Sequence, residues 1–159
     1  MHHRHYIMDP LEGRNRLLIR NPANSEIPGV GSSSILLFNT QSRPFVYTAN
    51  ASRISSQVAM PLHIMLAHEL IHADRAARGF SIPASEVMDI ILEVERMMLS
   101  PWRIIGSTTR TATHTNQQLE ELVTIGIIPC GDEDDCITEN MIREEHGLNP
   151  RTSHSGSYR

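Results

Sequence analysis

The sequence predicts a single-domain α+β fold, and three observations carry that prediction. The chain has 159 residues, 40% hydrophobic and 20% charged, which suits one globular core. Short β-favouring apolar runs stand ahead of residue 50. Beyond it, stretches with helix caps and helical spacing follow one another, and the first carries two histidines four residues apart.

Taken in order, residues 1–34 read as a flexible N-terminal segment. They are rich in Asn, Pro, Gly, Ser and Arg, with no periodicity beyond Arg16-Leu17-Leu18-Ile19-Arg20. His2, His3 and His5 lie in it, and the cost of ordering a terminus argues against a defined metal site there. Residues 35–159 hold the folded domain. Ile35-Leu36-Leu37-Phe38 and Pro44-Phe45-Val46-Tyr47-Thr48 read as a hairpin with residues 39–43 as its loop. Such a pair either offers an edge to an extended peptide or serves the core alone.

A helix is expected from Met60 to Arg78, with Pro61 in its first turn and Gly79 as its stop. It contains Ala67-His68-Glu69-Leu70-Ile71-His72-Ala73. At i,i+4 the two imidazoles project one above the other and can share one zinc ion, each through a ring nitrogen. Glu69 stands about a quarter-turn round from His68, where it can take a proton from an attacking water. Leu66, Leu70 and Ile71 would bury the rest of this face. The competing reading is a solvated helix face; its apolar neighbours and the acidic residues downstream weigh against that. Asp74 and Arg78 are spaced for a surface ion pair.

Pro83-Ala84-Ser85 opens a second expected helix, Glu86 to Leu99, with Val87, Ile90, Ile91, Val94 and Met98 on one side and Pro101 as its end. Met88, Met97 and Met98 read as core filling. Residues 103–113 read as extended. A third helix is expected from Thr115 or Asn116 through Leu119-Glu120-Glu121-Leu122-Val123 to Gly126. Thr138 caps a short one, Glu139 to His146, closed by Gly147, and the rest is loop. Cys130 and Cys136 flank an acidic run, either as a small loop disulfide or as two free thiols. The net charge of -4 gives no case for nucleic acid. No run is apolar and long enough for a membrane span, and no signal peptide is read.

A catalytic zinc keeps three protein ligands and an open position. Arg75 and Arg78 stand where the longer histidine pattern has its glycine and third histidine, so the third ligand is expected to be a carboxylate. Glu93, Glu95, Glu120 and Glu121 are the candidates, and spacing leaves them open.

Three ordered motifs, spread over roughly residues 35–154, carry a family resemblance. They are His68-Glu69-Leu70-Ile71-His72-Ala73, Glu120-Glu121-Leu122-Val123-Thr124-Ile125-Gly126, and Thr138-Glu139-Asn140 through Arg143 to Gly147-Leu148-Asn149-Pro150-Arg151. The first two resemble clostridial neurotoxin light chains, and all three are similar to the NleD family of type III secreted zinc metalloproteases. The resemblance implies a zincin-like metalloprotease fold and a zinc-dependent endopeptidase acting in the host cytoplasm, and a monomer is expected. Its implied partner is a host signalling protein of the MAP kinase type, beside the expectation from charge and hydropathy of no nucleic acid and no membrane. Glu121 becomes the third ligand beside His68 and His72, Glu69 the base, and Glu120 a carboxylate that orients a ligand histidine. Where the relatives use an Arg and a Tyr to stabilise the oxyanion, this chain offers Arg151 with His154 or Tyr158; otherwise Arg151 is a tail charge. The alternative is a silent effector that binds a host protein around a structural zinc. His63, His114 and His146 are its candidate fourth ligands.

Overall fold

Alternating side chains place the first sheet. The computed structural model describes residues 4–8, 15–100, 103–131, 133 and 135–154. In it β1 (His5–Met8) and β2 (Arg16–Ile19) flank β3 (Ser34–Leu37), with the helical turn α1 (Pro22–Ser25) between β2 and β3. β1 runs parallel to β3 and β2 antiparallel, with Leu17 opposite Leu36 and Leu18 opposite Ile35. Leu36 is buried and Ile35 exposed, the pattern of a sheet covered on one face. Residues 1–34, read as a flexible arm, thus contribute two strands and a helical turn. Elements of four residues leave too little pattern to detect, and these strands find partners far along the chain. His2 and His3 lie outside the described residues.

The second sheet has the order β4 (Phe45–Ala49), β5 (Ser55–Ala59), β6 (Val87–Ser100), β7 (Arg103–Gln118). The expected hairpin between residues 35–38 and 44–48 does not form: β3 and β4 belong to different sheets. β4 instead pairs antiparallel with β5. Asn50 Oδ1 accepts from the N–H groups of Ser52 and Ile54 and closes that turn.

The expected helix over 86–99 is corrected to the long strand β6, which pairs antiparallel with β7 from Val87–Gln118 to Ser100–Arg103. Leu92 and Val94 are buried while Ile91, Glu93 and Glu95 are exposed, a two-residue period. Val87, Met88 and Ile91, assigned to a buried helix face or to core filling, are exposed. The side chains of Met97 and Met98 lie outside the described residues. The extended reading of 103–113 agrees with β7, which continues through Thr115 and Asn116 and delays the next helix to Leu119.

α2 (Leu62–Arg78) packs against β2 and β3, and its Ile64 and Met65 join Leu36, Phe38, Val46 and Met60 in the buried core. It stops at Gly79, at φ 86°, where a Cβ would collide with the Ile27 carbonyl. α3 (Leu119–Ile125) stops at Gly126, at φ 88°, where a Cβ would meet the Thr138 side chain. Thr138 caps α4 (Glu139–Glu145), its Oγ1 accepting from Met141 N at 3.3 Å. The missing Cβ at Gly126 therefore lets the end of α3 touch the start of α4. Residues 150–152 then run along β4, where Thr152 N donates to Tyr47 O and Ala49 N to Pro150 O.

Candidate metal centre

The inward face of α2 carries Ile64, Met65, Ile71 and Ala76, all buried, and His68 and His72 share that face. Leu70, expected to help bury the helix, is 42% exposed instead. The i,i+4 spacing stacks the two imidazoles edge to face with their centroids 4.7 Å apart. α3 then brings a carboxylate against them. Glu121 Oε2 lies 3.0 Å from His68 Nε2 and 3.3 Å from His72 Nε2, and the two Nε2 atoms are 3.1 Å apart.

Each imidazole is held from behind through its other nitrogen. His68 Nδ1–H donates to Glu139 Oε2 at 2.9 Å, and His72 Nδ1–H to Glu120 Oε1 at 3.1 Å. Carboxylate acceptors at both Nδ1 atoms turn both Nε2 atoms toward Glu121, the nitrogens a metal ion would take in place of a proton. Arg75 in turn grips Glu120, Nε to Oε1 at 3.1 Å and Nη2 to Oε2 at 3.2 Å, while Ile82 N donates to Oε2 at 2.8 Å. Glu139 is fully buried between Arg143 Nη1 at 3.3 Å and Arg151 Nη1 at 2.8 Å.

Glu139 was missed by sequence reasoning. It lies 71 residues from His68 and occupies the first position of α4, where an acidic residue is ordinary. Its only signal was membership in the third family motif. Arg151 is no solvated tail charge: it is buried, with Nη1 on Glu139, Nε on Ser153 O and Nη2 on His154 O, and it borders the same cleft as His68 and Glu69. The residue that faces Glu121 is His154, with Nδ1 2.9 Å from Oε2 and the side chain 45% exposed. Tyr158 lies outside the described residues.

The other candidates are elsewhere. Glu93, exposed on β6, accepts from Thr111 Oγ1, and Glu95 on the same strand is exposed too. His114 Nδ1 meets Ser153 Oγ at 2.9 Å, and the rings of His63 and His146 pack on each other at 4.8 Å. Among the described residues, two groups have the spacing to hold a metal: His68, His72 and Glu121, and Cys130, Glu133 and Cys136. The cysteines of the second are joined in a disulfide. Asp74 and Arg78 form the expected pair, Oδ2 to Nε at 2.8 Å.

Electrostatics follow from burial against charge. Burial works to lower the pKa of His72, but Glu121 and Glu120 outweigh it and push the imidazole up to about 10. Burial would raise Glu121, yet His72, His154 and His68 hold it well below the usual carboxylate range. Glu139 is likewise brought down to about 2 against its burial, by Arg151 and His68. Glu69 goes the other way: burial pushes its carboxyl up against the pull of His68 and His72. Without metal, a proton on the imidazoles holds the cluster together, so metal uptake must release it.

The donor set fits zinc. Two imidazole nitrogens and one carboxylate oxygen converge, and donors about 2.0–2.1 Å from a tetrahedral ion stand about 3.3 Å apart. The three donors lie on the wall of a cleft of ≈ 670 Å³ that Glu69 and His154 also line, with Leu17, Phe45 and Met60 among its apolar side chains.

No protein-family model and no curated protein matches the chain. Among solved structures, the zinc-removed apo form of the botulinum neurotoxin type C light chain is similar over 80% of this chain and 29% of its own. Its identity is 17% and its TM-score 0.48. The botulinum neurotoxin serotype C1 light chain protease matches over 89% of this chain and 31% of its own, at 17% identity and TM-score 0.49. The serotype HA light chain covers 84% and 28%, at 15% and 0.39. The chain spans under a third of the length of these light chains.

Proposed function

We propose that the chain is a zinc-dependent endopeptidase, with His68, His72 and Glu121 as zinc ligands. One observation carries the reading: the Nε2 atoms of His68 and His72 and Oε2 of Glu121 meet at 3.0–3.3 Å on the wall of an open cleft. Zinc bound there supplies a Lewis acid that polarises a peptide carbonyl and acidifies water. Glu69, beside the ligands and with its pKa raised by burial, takes the proton of the attacking water and passes it to the leaving nitrogen. Glu120 and Glu139 keep the two imidazoles in the ligand tautomer, and Arg75, Arg143 and Arg151 hold those carboxylates in place. His154, on the cleft wall against Glu121, is the side chain placed to donate to the developing oxyanion.

The sequence resemblance to NleD-like effectors extends this reading to a type III secreted effector that acts in the host cytoplasm as a monomer. Its substrate would then be a host signalling protein of the MAP kinase type, and that part rests on the motifs alone. The test is Glu69→Gln against wild type, scored for zinc content and for cleavage of a panel of MAP kinases and of an unfolded protein. Full zinc with cleavage reduced by at least ~10²-fold is the expected result. Cleavage near the wild-type rate would refute the mechanism.

One contact favours a second reading. With Nδ1 2.9 Å from Glu121, His154 could swing in as a fourth protein ligand and close a structural site in a silent binding protein. A zinc-loaded wild type that cleaves neither substrate, and in which His154→Ala loses zinc, would establish it.

A further inference from the structure

The acidic loop between the cysteines does something the mechanism above does not use. Glu133 lies inside the ring closed by Cys130 and Cys136, six residues apart in sequence, and its side chain is 1% exposed. It pairs with Arg75 and with Arg78, both on the helix that carries His68 and His72. Arg75 is itself 2% exposed and divides its donors among Glu133, Glu120 and the Phe80 carbonyl. Glu120 then accepts from His72 Nδ1 at 3.1 Å. A continuous line of charge-assisted hydrogen bonds, buried at Glu133 and Arg75 and part-buried at Glu120, therefore runs from the disulfide loop to one histidine of the metal centre.

We infer that Glu133 is a positioning residue for the zinc site and that the Cys130–Cys136 disulfide fixes its position, which makes zinc affinity sensitive to thiol reductants. The inference rests on the zinc reading of His68, His72 and Glu121. Its physical basis is the composition of the loop: Asp132, Glu133, Asp134 and Asp135 are consecutive carboxylates. Like charges on successive residues repel, and an uncrosslinked loop relieves that by spreading into water. Desolvating Glu133 against two arginines requires the opposite, and the crosslink removes much of the open loop's freedom. A dithiol breaks the S–S bond: each cysteine sulfur gains one electron and one proton, and the dithiol leaves as its own disulfide. The loop then opens and withdraws Glu133. Arg75 re-sorts its donors, and Glu120 no longer holds the His72 ring at one angle. Loss of such an outer partner weakens metal binding by ~10–100-fold.

The experiment measures zinc affinity by competition with a chromophoric chelator, and the visible spectrum of the cobalt-substituted protein, for five forms of the full chain. These are wild type, Glu133→Gln, Glu133→Asp, the double variant Cys130→Ser/Cys136→Ser, and the triple variant that adds Glu133→Gln. Weakening by ~10-fold in Glu133→Gln and in the double variant is expected, with the same change in cobalt spectrum. The triple variant should lose no more than either, and Glu133→Asp should recover part of the loss. Wild-type affinity and spectrum in both Glu133→Gln and the double variant would overturn the inference, as would fully additive losses. Should the variants fail to fold, wild type reduced with a phosphine and then reoxidised gives the same comparison, and affinity unchanged by that cycle overturns it. An oxidised wild type that binds no zinc is a different result: it removes the metal reading itself and this inference with it.

Discussion

The metal centre and the β6–β7 ribbon are built on opposite principles. Around the centre, α2, α3 and α4 meet through buried charges: Glu139 against Arg143 and Arg151, Glu120 against Arg75, and Glu121 against two imidazoles. Strands β6 and β7 rest chiefly on each other, and β6 meets β5 at the single pair Ser55–Val94. Ile91 on that ribbon is 71% exposed, whereas Glu139 is 0% exposed. Polar groups that are costly to leave unpaired thus hold the centre, whereas the ribbon depends on backbone pairing and on the few side chains, Leu92 and Val94 among them, that it buries.

The sharpest way to break the contrast is Glu139→Ala. It strands Arg143 and Arg151 as buried cations and frees His68 Nδ1, so a loss of ~3–5 kcal/mol in chemical denaturation is expected. A loss below ~1 kcal/mol would mean the network is solvated and the contrast false. Next in size, Leu92→Ala on the buried face of β6 should cost ~2–3 kcal/mol. Ile91→Thr on the exposed face should cost less than ~0.5 kcal/mol by the same measurement. A helix over 86–99 reverses that order, because its apolar side includes Ile91 and excludes Leu92. Metal uptake should also release protons. With His72 at about 10 in the metal-free protein, zinc affinity falls as the pH drops, because a proton must leave the imidazole first. Calorimetry of zinc binding in buffers of different ionisation enthalpy should show net proton release, and none would contradict the protonated metal-free cluster.

The same contrast explains what could be read from the sequence. His68, Glu69 and His72 were legible because helical spacing is local, and Gly79, Gly126 and Thr138 marked the helix ends because caps are local too. The partner for His68 at Glu139 was not legible, since no periodicity connects residues 71 apart. The choice of Glu121 over Glu93 was open to spacing and closed by a family motif; geometry now joins Glu121 to the histidines and leaves Glu93 out on β6. The ribbon was misread because Val87, Ile90, Ile91, Val94 and Met98 satisfy a helical period while Leu92 and Val94, alternating with Glu93 and Glu95, satisfy a strand period. Partners decide such ties: Leu92 pairs with Ala112 and Val94 with Arg110 on β7. The cysteines gave no sign of their state, which depends on how the chain brings 130 and 136 together.

The most direct test of the central claim is zinc stoichiometry by elemental analysis, on wild type, Glu121→Gln and Glu93→Gln purified in parallel and dialysed against the same zinc buffer. About one zinc per chain in wild type and in Glu93→Gln, with most of it lost in Glu121→Gln, is the predicted result. Full zinc in Glu121→Gln would contradict a centre made of His68, His72 and Glu121.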